Sequence, residues 1–134
     1  MAEENKNFEL KIITPDRTFF EGQVSMVEFN TTEGRIGVYK NHIPLTVIIK
    51  PGVLTITGEQ VLKAALHSGF AQIAQDRITI LAEVIEWPDE IDRGRAEAAK
   101  DRAEKLLAEH ASTTDIARAE TALSRAVARI NVLR

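Results

Sequence analysis

The sequence predicts an antiparallel β domain over residues 1–86, either a sandwich or a flattened barrel, followed by a two-helix hairpin over residues 87–134. Three observations support this fold class. Short segments rich in Val, Ile, Thr and Phe alternate with turn signals through the first two-thirds of the chain. The composition changes to Ala, Arg and Glu after "EWPDE". The chain has 134 residues, 44% of them hydrophobic, which suffices for one packed core with a small appendage.

The strands are predicted from alternation and from the turns between them. In "FELKII" the apolar residues Phe8, Leu10 and Ile12 alternate with polar ones, which is typical of a half-buried strand. Turn signals at "TPD", "EGQ", "TEG", "KPG", "TGEQ", "HSGF" and "QDR" separate the segments that follow. Further strands are predicted at Val24–Phe29, Arg35–Tyr39, Leu45–Ile49, Val53–Thr57, Gln60–Leu66, Phe70–Gln75 and Ile78–Glu83.

Two helices are predicted after Pro88, which disfavours helical backbone at the residue before it. The first helix spans residues 90–109, with acidic residues suited to its amino-terminal end. "HASTTD" breaks the pattern, and Thr113 or Thr114 can cap a second helix that runs to about Val132. A short link makes the helices antiparallel neighbours. Apolar positions at three-four spacing predict their contact: Ala96, Ala99, Ala103, Leu106, Leu107, Ile116, Ala119, Leu123, Ala126 or Val127, Ile130 and Leu133.

The predicted helix contact is rich in alanine and therefore yields little energy. A buried leucine contributes about 1.5–3 kcal/mol and a methylene about 0.8 kcal/mol. An isolated hairpin of this length is marginal in water. Two interpretations stay open from the residues alone: the hairpin leaves its packed state when a partner selects an open form, or it docks on the β domain and stays there.

Composition excludes several classes of protein. A formal net charge of −3 argues against a general nucleic-acid binder. The chain has no cysteine, which rules out disulfides and thiolate chemistry. "MAEENKNFEL" has no features of a signal peptide, and no apolar run reaches the roughly 18 residues of a membrane span. We therefore expect a soluble protein with no direct membrane insertion.

No residue pattern predicts catalysis. His42, His67 and His110 lack the spacing of a metal-ligand set, so no metal site is expected. The serines lie in no nucleophile context, and no phosphate-binding glycine loop is present in the sequence. No set of residues in the sequence therefore supports an independent enzymatic activity.

The arginines of the second helix form the clearest charge pattern. Arg118, Arg125 and Arg129 fall within an arc of about 40° on one face, away from the apolar seam. They are interpreted either as a solvated basic face or as a docking strip for an acidic partner or phosphates. Arg95 and Arg102 share a flank of the first helix. Arginines of both helices brought together would favour an anion between them.

The order of motifs resembles the epsilon subunits of the F-type ATP synthase, whose mitochondrial counterpart is called delta. The resemblance begins in "TPDRTFFEGQVSMVEFNTTEGRIGVYKNHIPL", continues in "SGFAQIAQDRITILAE" and ends in "DIARAETALSRAVARINVL". Ser68 replaces a usual glycine, and Lys40-Asn41 replaces a proline-containing turn. The matching motif residues are Thr14, Pro15, Gly22, Val24, Val27, Gly34, Gly37, Val38, His42, Pro44 and Leu45.

The resemblance implies a ten-stranded β-sandwich with a helical hairpin, and a non-catalytic place in the central rotor stalk at the cytoplasmic face of the cell membrane. Its partners would be the gamma subunit, the c-ring and the alpha/beta catalytic head. Arg35 and His42 are the expected gamma and c-ring contacts. The hairpin would extend and inhibit ATP hydrolysis, with Arg118, Arg125 and Arg129 meeting acidic residues of a beta subunit.

Some bacterial members of this family also bind ATP on the folded hairpin through an I/L-D-x-x-R-A motif. Here "IDRGRA" matches it, with Gly94 in a variable position. No cofactor is required, and ATP would be a regulatory ligand. The alternative function is a nucleotide-sensing module whose hairpin is locked by ATP and has little inhibitory role. The implied nucleotide-binding residues are Glu86, Ile91, Asp92, Arg95, Ala96, Arg125 and Arg129.

Overall fold

A computed structural model describes residues 6–109 and 113–134 of the chain. Eight strands, one 3-10 turn and two helices lie in these ranges. The strands are β1 (Phe8–Ile13), β2 (Thr18–Val24), β3 (Met26–Thr31), β4 (Gly34–Val38), β5 (Leu45–Ile49), β6 (Gly52–Thr57), β7 (Val61–Ile73) and β8 (Arg77–Glu86). The 3-10 turn is Pro88–Glu90, and the helices are α1 (Arg93–Ala108) and α2 (Thr113–Val132).

The strands form one sheet that folds over on itself into a sandwich. Its order is β2-β1-β8-β7-β5-β3-β4, and β6 pairs with β3 and β7. The first half of β7 pairs with β6 and its second half with β5, so this long strand belongs to both layers. Phe8, Leu10 and Ile12 are buried as the alternation in β1 predicted. The predicted fold class is confirmed, with eight strands in the described residues where the family resemblance implied ten.

Two segments that were predicted as turns lie within strands, because they pair with neighbouring strands. The first was "EGQ", which lies inside β2, a strand that the sequence analysis missed. Pairing with β1 keeps Gly22 extended opposite Leu10. The chain then breaks at Ser25, whose backbone amide and hydroxyl both donate to the carbonyl oxygen of Thr57, so the predicted strand Val24–Phe29 is divided. One pair, β1 with β8, is parallel in this otherwise antiparallel sheet.

The second of these segments was "HSGF", which is a bend within β7 rather than a turn between two strands. The register against β8 shifts between Leu66 and Gly69. Gly69 has a φ of 140°, and a Cβ there would clash with the carbonyl oxygen of Leu81. Ser68 donates a hydrogen bond from its hydroxyl to Glu83. Glycine therefore allows the strand to pass from one layer to the other without ending.

The first helix begins at Arg93, three residues later than predicted. Asp92 is its N-cap and accepts a hydrogen bond from the backbone amide of Arg95 at 3.1 Å. Asp89 and Glu90 lie in the 3-10 turn before it and not in its first turn. Pro88 begins the 3-10 turn, so Asp89 and Glu90 belong to that turn and Asp92 caps α1.

The second helix packs on β6 and β7, and the first helix packs on the second. The alanines of the predicted seam are buried, namely Ala96 and Ala103 of α1 and Ala119 and Ala126 of α2, whereas Leu106, also predicted there, is 43% exposed. The link between the helices, including His110, lies outside the described residues. The predicted caps at 113 and 114 are likewise untested, because their side chains are not described. In the described ranges no helix combines the length and the apolar character that a membrane crossing requires.

Candidate functional site

A cavity of about 440 Å³ opens where the end of β8, the start of α1 and the last turns of α2 meet. Its walls combine carboxylates, guanidinium groups and small apolar side chains. The lining residues are Glu86, Glu90, Ile91, Asp92, Arg95, Ala96, Ala98, Ala99, Arg102 and Arg129. Six of the seven residues that the resemblance implied for nucleotide binding therefore lie around one cavity, and Arg125 is the exception.

An ion pair joins the β domain to the second helix at the edge of this cavity. The Nε atom of Arg129 lies 2.7 Å from Oε1 of Glu86. The side chain of Arg129 is 29% exposed and that of Glu86 is 24% exposed. Of the two interpretations of the α2 arginines, the solvated basic face therefore does not hold for Arg129, which is paired within the chain. Arg118 is exposed, whereas Arg125 and Arg129 are only partly exposed, because the inner turns of α2 lie against β6 and β7.

The same carboxylate oxygen also binds a histidine that sequence reasoning had set aside. Nε2 of His67 lies 2.8 Å from Oε1 of Glu86, and the His67 side chain is 0% exposed. Burial lowers the pKa of His67 below its ordinary 6.5, and the positive charges of Arg129 and Arg125 add to that lowering. The hydrogen bond to Glu86 opposes the shift. This contact was not predicted, because "HSGF" was interpreted as a turn between two strands.

The other two carboxylates of the cavity wall are already engaged. Glu90 accepts two hydrogen bonds from Nη2 of Arg17, at 2.7 and 2.8 Å. This contact, with the backbone amide of Trp87, holds the pKa of Glu90 below its ordinary 4.5. Asp92 is occupied as the N-cap of α1. The negative charges of the wall are thus satisfied within the protein.

Arg95 and Arg102 are the unpaired cations of the wall. Neither side chain makes a hydrogen bond or an ion pair with any residue in 6–109 and 113–134. Arg102 was noted as lying on the flank of Arg95 but was not proposed as a nucleotide contact. Their seven-residue spacing, two turns of one helix, was the signal for it. Beside them, Ala98 and Ala99 leave a shallow apolar wall. Guanidinium groups next to such a wall are suited to a phosphorylated ligand with a flat apolar part.

The segment before α1 is fixed to the β domain. The ring of Trp87 stacks on that of Phe19 with centroids 4.2 Å apart, and Arg17 lies over Phe19 while it binds Glu90. These contacts therefore hold residues 87–90 against the sandwich. Ile91 and Asp92, which have extended backbone, connect this turn to α1.

The two residues expected to contact gamma or the c-ring lie away from this cavity. Arg35 is on β4, where its Nη1 donates to Oδ1 of Asn30 and to the carbonyl oxygen of Val53. It lines a second cavity, of about 450 Å³, beside Leu123 of α2. Nδ1 of His42 lies 2.8 Å from the carbonyl oxygen of Ile43, in the segment between β4 and β5. The contacts of Arg35 and His42 with other subunits remain predictions.

Family models match both parts of the chain. Residues 7–88 match the model described as ATP synthase, Delta/Epsilon chain, beta-sandwich domain. Residues 89–134 match ATP synthase, Delta/Epsilon chain, long alpha-helix domain.

Two relatives are similar over nearly the full chain. An ATP synthase epsilon chain of Caldanaerobacter subterraneus subsp. tengcongensis is 43% identical over 130 residues, which cover 96% of this chain and 94% of the relative. An ATP synthase epsilon chain of Clostridium novyi is 40% identical over 131 residues, covering 96% and 98%.

A solved structure has the same fold. A chain in the cryo-EM structure of the Euglena gracilis mitochondrial ATP synthase, with OSCP, F1 and c-ring, superposes with a TM-score of 0.85 at 19% identity. The match covers 99% of this chain and 85% of that one. On the two family models and the identity to these relatives, the chain belongs to the delta/epsilon family of ATP synthase subunits.

Proposed function

We propose that this chain is a non-catalytic subunit of the central stalk of an F-type ATP synthase. It would couple the alpha/beta catalytic head to the c-ring through the β-sandwich, in contact with gamma, and inhibit ATP hydrolysis when its hairpin extends. It would lie on the cytoplasmic face of the membrane as a peripheral part of the complex. The family membership supports this proposal, and so does the solved complex with the same fold, which contains F1 and a c-ring.

The hairpin has features that suit an extendable element. The contact between its two helices is lined by alanine, and burial of an alanine methyl contributes far less free energy than burial of a leucine side chain. The 3-10 turn is anchored by Trp87 and Glu90, so opening at Ile91 and Asp92 would leave the sandwich on its partners. In the extended form Arg118, Arg125 and Arg129 would be available to acidic residues of a beta subunit.

The cavity at the hinge is the single observation that favours control by ATP. Arg95, Arg102 and Arg129 would hold the phosphates, and the apolar wall of α1 would hold the base. Because β8, α1 and α2 all line this cavity, a ligand there binds only the docked hairpin. A ligand at ten times its dissociation constant would stabilise that form by about 1.4 kcal/mol.

An ATP titration of the isolated chain by calorimetry tests the nucleotide site. We expect saturable binding that is weakened by Arg95→Ala and by Arg129→Ala. Arg118→Ala is the matched control, because it removes an exposed arginine of α2 that does not line the cavity. An absence of binding at millimolar ATP would exclude a physiological sensor.

Deletion of residues 88–134 in the assembled complex tests the inhibitory role. We expect assembly and coupling to persist and ATP hydrolysis to rise. Unchanged hydrolysis would remove the inhibitory role from the proposal.

The second candidate function is a nucleotide-sensing module with little inhibitory role, and the same cavity favours it. The two experiments together separate the candidates. ATP binding with unchanged hydrolysis after deletion would select the sensing module. ATP binding with raised hydrolysis would select the gated inhibitor.

A further inference from the structure

Four polar side chains from three elements meet beneath the docked second helix. We call them the latch cluster: His67 on β7, Glu86 on β8, and Arg125 and Arg129 on α2. One carboxylate oxygen of Glu86 is 2.7 Å from Arg129 and 2.8 Å from His67. The cluster is thus a polar connection between both last strands of the sandwich and the helix that packs on them.

The geometry defines the proton positions of the cluster. An ionised carboxylate only accepts hydrogen bonds, so Nε2 of His67 must carry the proton that it shares with Glu86. In the neutral ring Nδ1 is then an acceptor. That nitrogen and Nε of Arg125 are both buried, and neither has a hydrogen-bond partner in the portion of the chain described by the structure. A proton added to the ring would therefore be placed on Nδ1, at a position without an acceptor.

We propose that His67 is a proton-sensitive latch that holds α2 on the sandwich while its ring is neutral and releases the helix when the ring is protonated. Protonation turns an acceptor into a buried donor and adds a third cation to Arg125 and Arg129, against the single carboxylate of Glu86. This inference goes beyond the proposed function, since it concerns docking of the helix in the absence of nucleotide.

The charges around His67 set the direction of the pH dependence. Glu86 faces the ring from β8, and Arg125 and Arg129 face it from α2. Within residues 6–109 and 113–134, no charged group of β5, β6 or the 3-10 turn acts on the ring. The net result is a pKa of His67 below 6.5 in the docked form. Removal of α2 would expose the ring to water and bring its pKa back towards the ordinary value.

It follows that the docked form binds fewer protons than the undocked form. The contribution of His67 to docking is therefore fully present above pH 6.5 and is lost as the pH falls below it. The docking equilibrium falls by at most about tenfold per pH unit, until the lowered pKa of the docked form is reached.

Fluorescence energy transfer in the full chain tests the latch. The sequence has no cysteine, so Glu59→Cys and Glu120→Cys introduce the only two labelling sites, both at exposed positions on the sandwich and on α2. We expect transfer to fall between pH 7.5 and pH 5.5. His67→Gln keeps an amide donor towards Glu86 but does not titrate, and we expect its transfer to stay constant. His42→Gln is the matched control and should keep the wild-type pH profile.

A measurement on the unsubstituted chain covers the case in which His67→Gln does not fold. The ¹⁵N chemical shifts of the histidine rings report the tautomer and its titration. We expect the Nε2–H tautomer at pH 7.5 and a midpoint below 6.5 for His67. The proposal is overturned by the Nδ1–H tautomer, by a midpoint at or above 6.5, by constant transfer in the parent chain, or by the same fall in His67→Gln.

These results are independent of ATP. A chain that does not bind nucleotide but loses transfer on acidification would retain the latch and lose only the proposed nucleotide control. A chain that binds ATP but shows no change in transfer on acidification would retain the proposed nucleotide control and lose the latch.

Discussion

Substitution of Glu86 by glutamine tests whether the latch cluster holds the second helix on the sandwich. The change keeps the size of the side chain and one oxygen acceptor but removes the negative charge. Arg129 and His67 would then face a neutral amide. Nothing in the apolar seam between the helices changes, so any loss of docking reports on the polar contact alone.

The expected magnitude follows from the two hydrogen bonds that Glu86 accepts. A hydrogen bond to a charged group contributes about 1.5–3 kcal/mol and a neutral one about 0.5–1.5 kcal/mol. Two bonds that each lose about 1 kcal/mol give a cost of about 2 kcal/mol, or about 30-fold in the docking equilibrium. This value lies between the ~1 kcal/mol of an exposed pair and the 3–5 kcal/mol lost when a fully buried pair is broken. Side chains that are 24% and 29% exposed justify an intermediate cost.

Hydrogen exchange of the α2 amides at pH 7.5 measures this cost directly, because local opening exposes them. We expect their protection factors to fall about 30-fold in Glu86→Gln. Glu83→Gln is the matched control on the same strand, since Glu83 is exposed and accepts a hydrogen bond from the Ser68 hydroxyl. Equal protection in the two variants would refute the reasoning, because the ion pair at 2.7 Å would then contribute nothing to docking.

Three further substitutions test other parts of the structure. Gly69→Ala should destabilise the sandwich by about 3 kcal/mol or more in chemical denaturation, because of its positive φ and the clash with Leu81; a loss under about 1 kcal/mol would contradict this. Gly94→Ala should stabilise the chain by up to about 1 kcal/mol in thermal unfolding, since the added Cβ makes only an ordinary contact; destabilisation would argue against it. The Arg17 contact stabilises the fold above pH 4.5, the ordinary pKa of Glu90, and is lost as the pH falls through the lowered pKa. Fluorescence of the single tryptophan should show this acid transition, and Glu90→Gln should remove it.

Local sequence patterns predicted most elements of the fold and failed where long-range pairing decided the structure. Alternation located β1, and turn residues located the ends of β6 and the start of β8. β2 was missed because its glycine resembles a turn until β1 supplies a partner strand. The bend in β7 was misread because glycine and serine serve a strand crossing between layers as well as a hairpin. These errors share one cause, since turn chemistry is local and sheet register is not.

One wall of the candidate site consists of residues that lie near one another in sequence, and the family resemblance implied Glu86 and Arg129 as well. "IDRGRA" supplies one wall of the cavity, and helical spacing explains why Arg95 and Arg102 lie on one flank. The contacts that join β8 to α2 at this cavity could not be predicted, since they depend on how α2 packs on the sandwich. The pairing of Glu86 with Arg129 and His67 joins residues 43 and 19 positions apart, and no local pattern links them.

The alanine seam and the latch cluster together explain how a docked helix can respond to small chemical signals. Apolar burial is insensitive to pH and to anions, so a leucine seam would hold the hairpin closed under all conditions. Alanine keeps that constant contribution small. Buried charges contribute little net stability, since desolvation offsets much of their attraction, but each becomes costly when a partner changes charge. With a small apolar contribution from the seam, one proton or one polyphosphate would shift the docking equilibrium of the helix by ~1–2 kcal/mol.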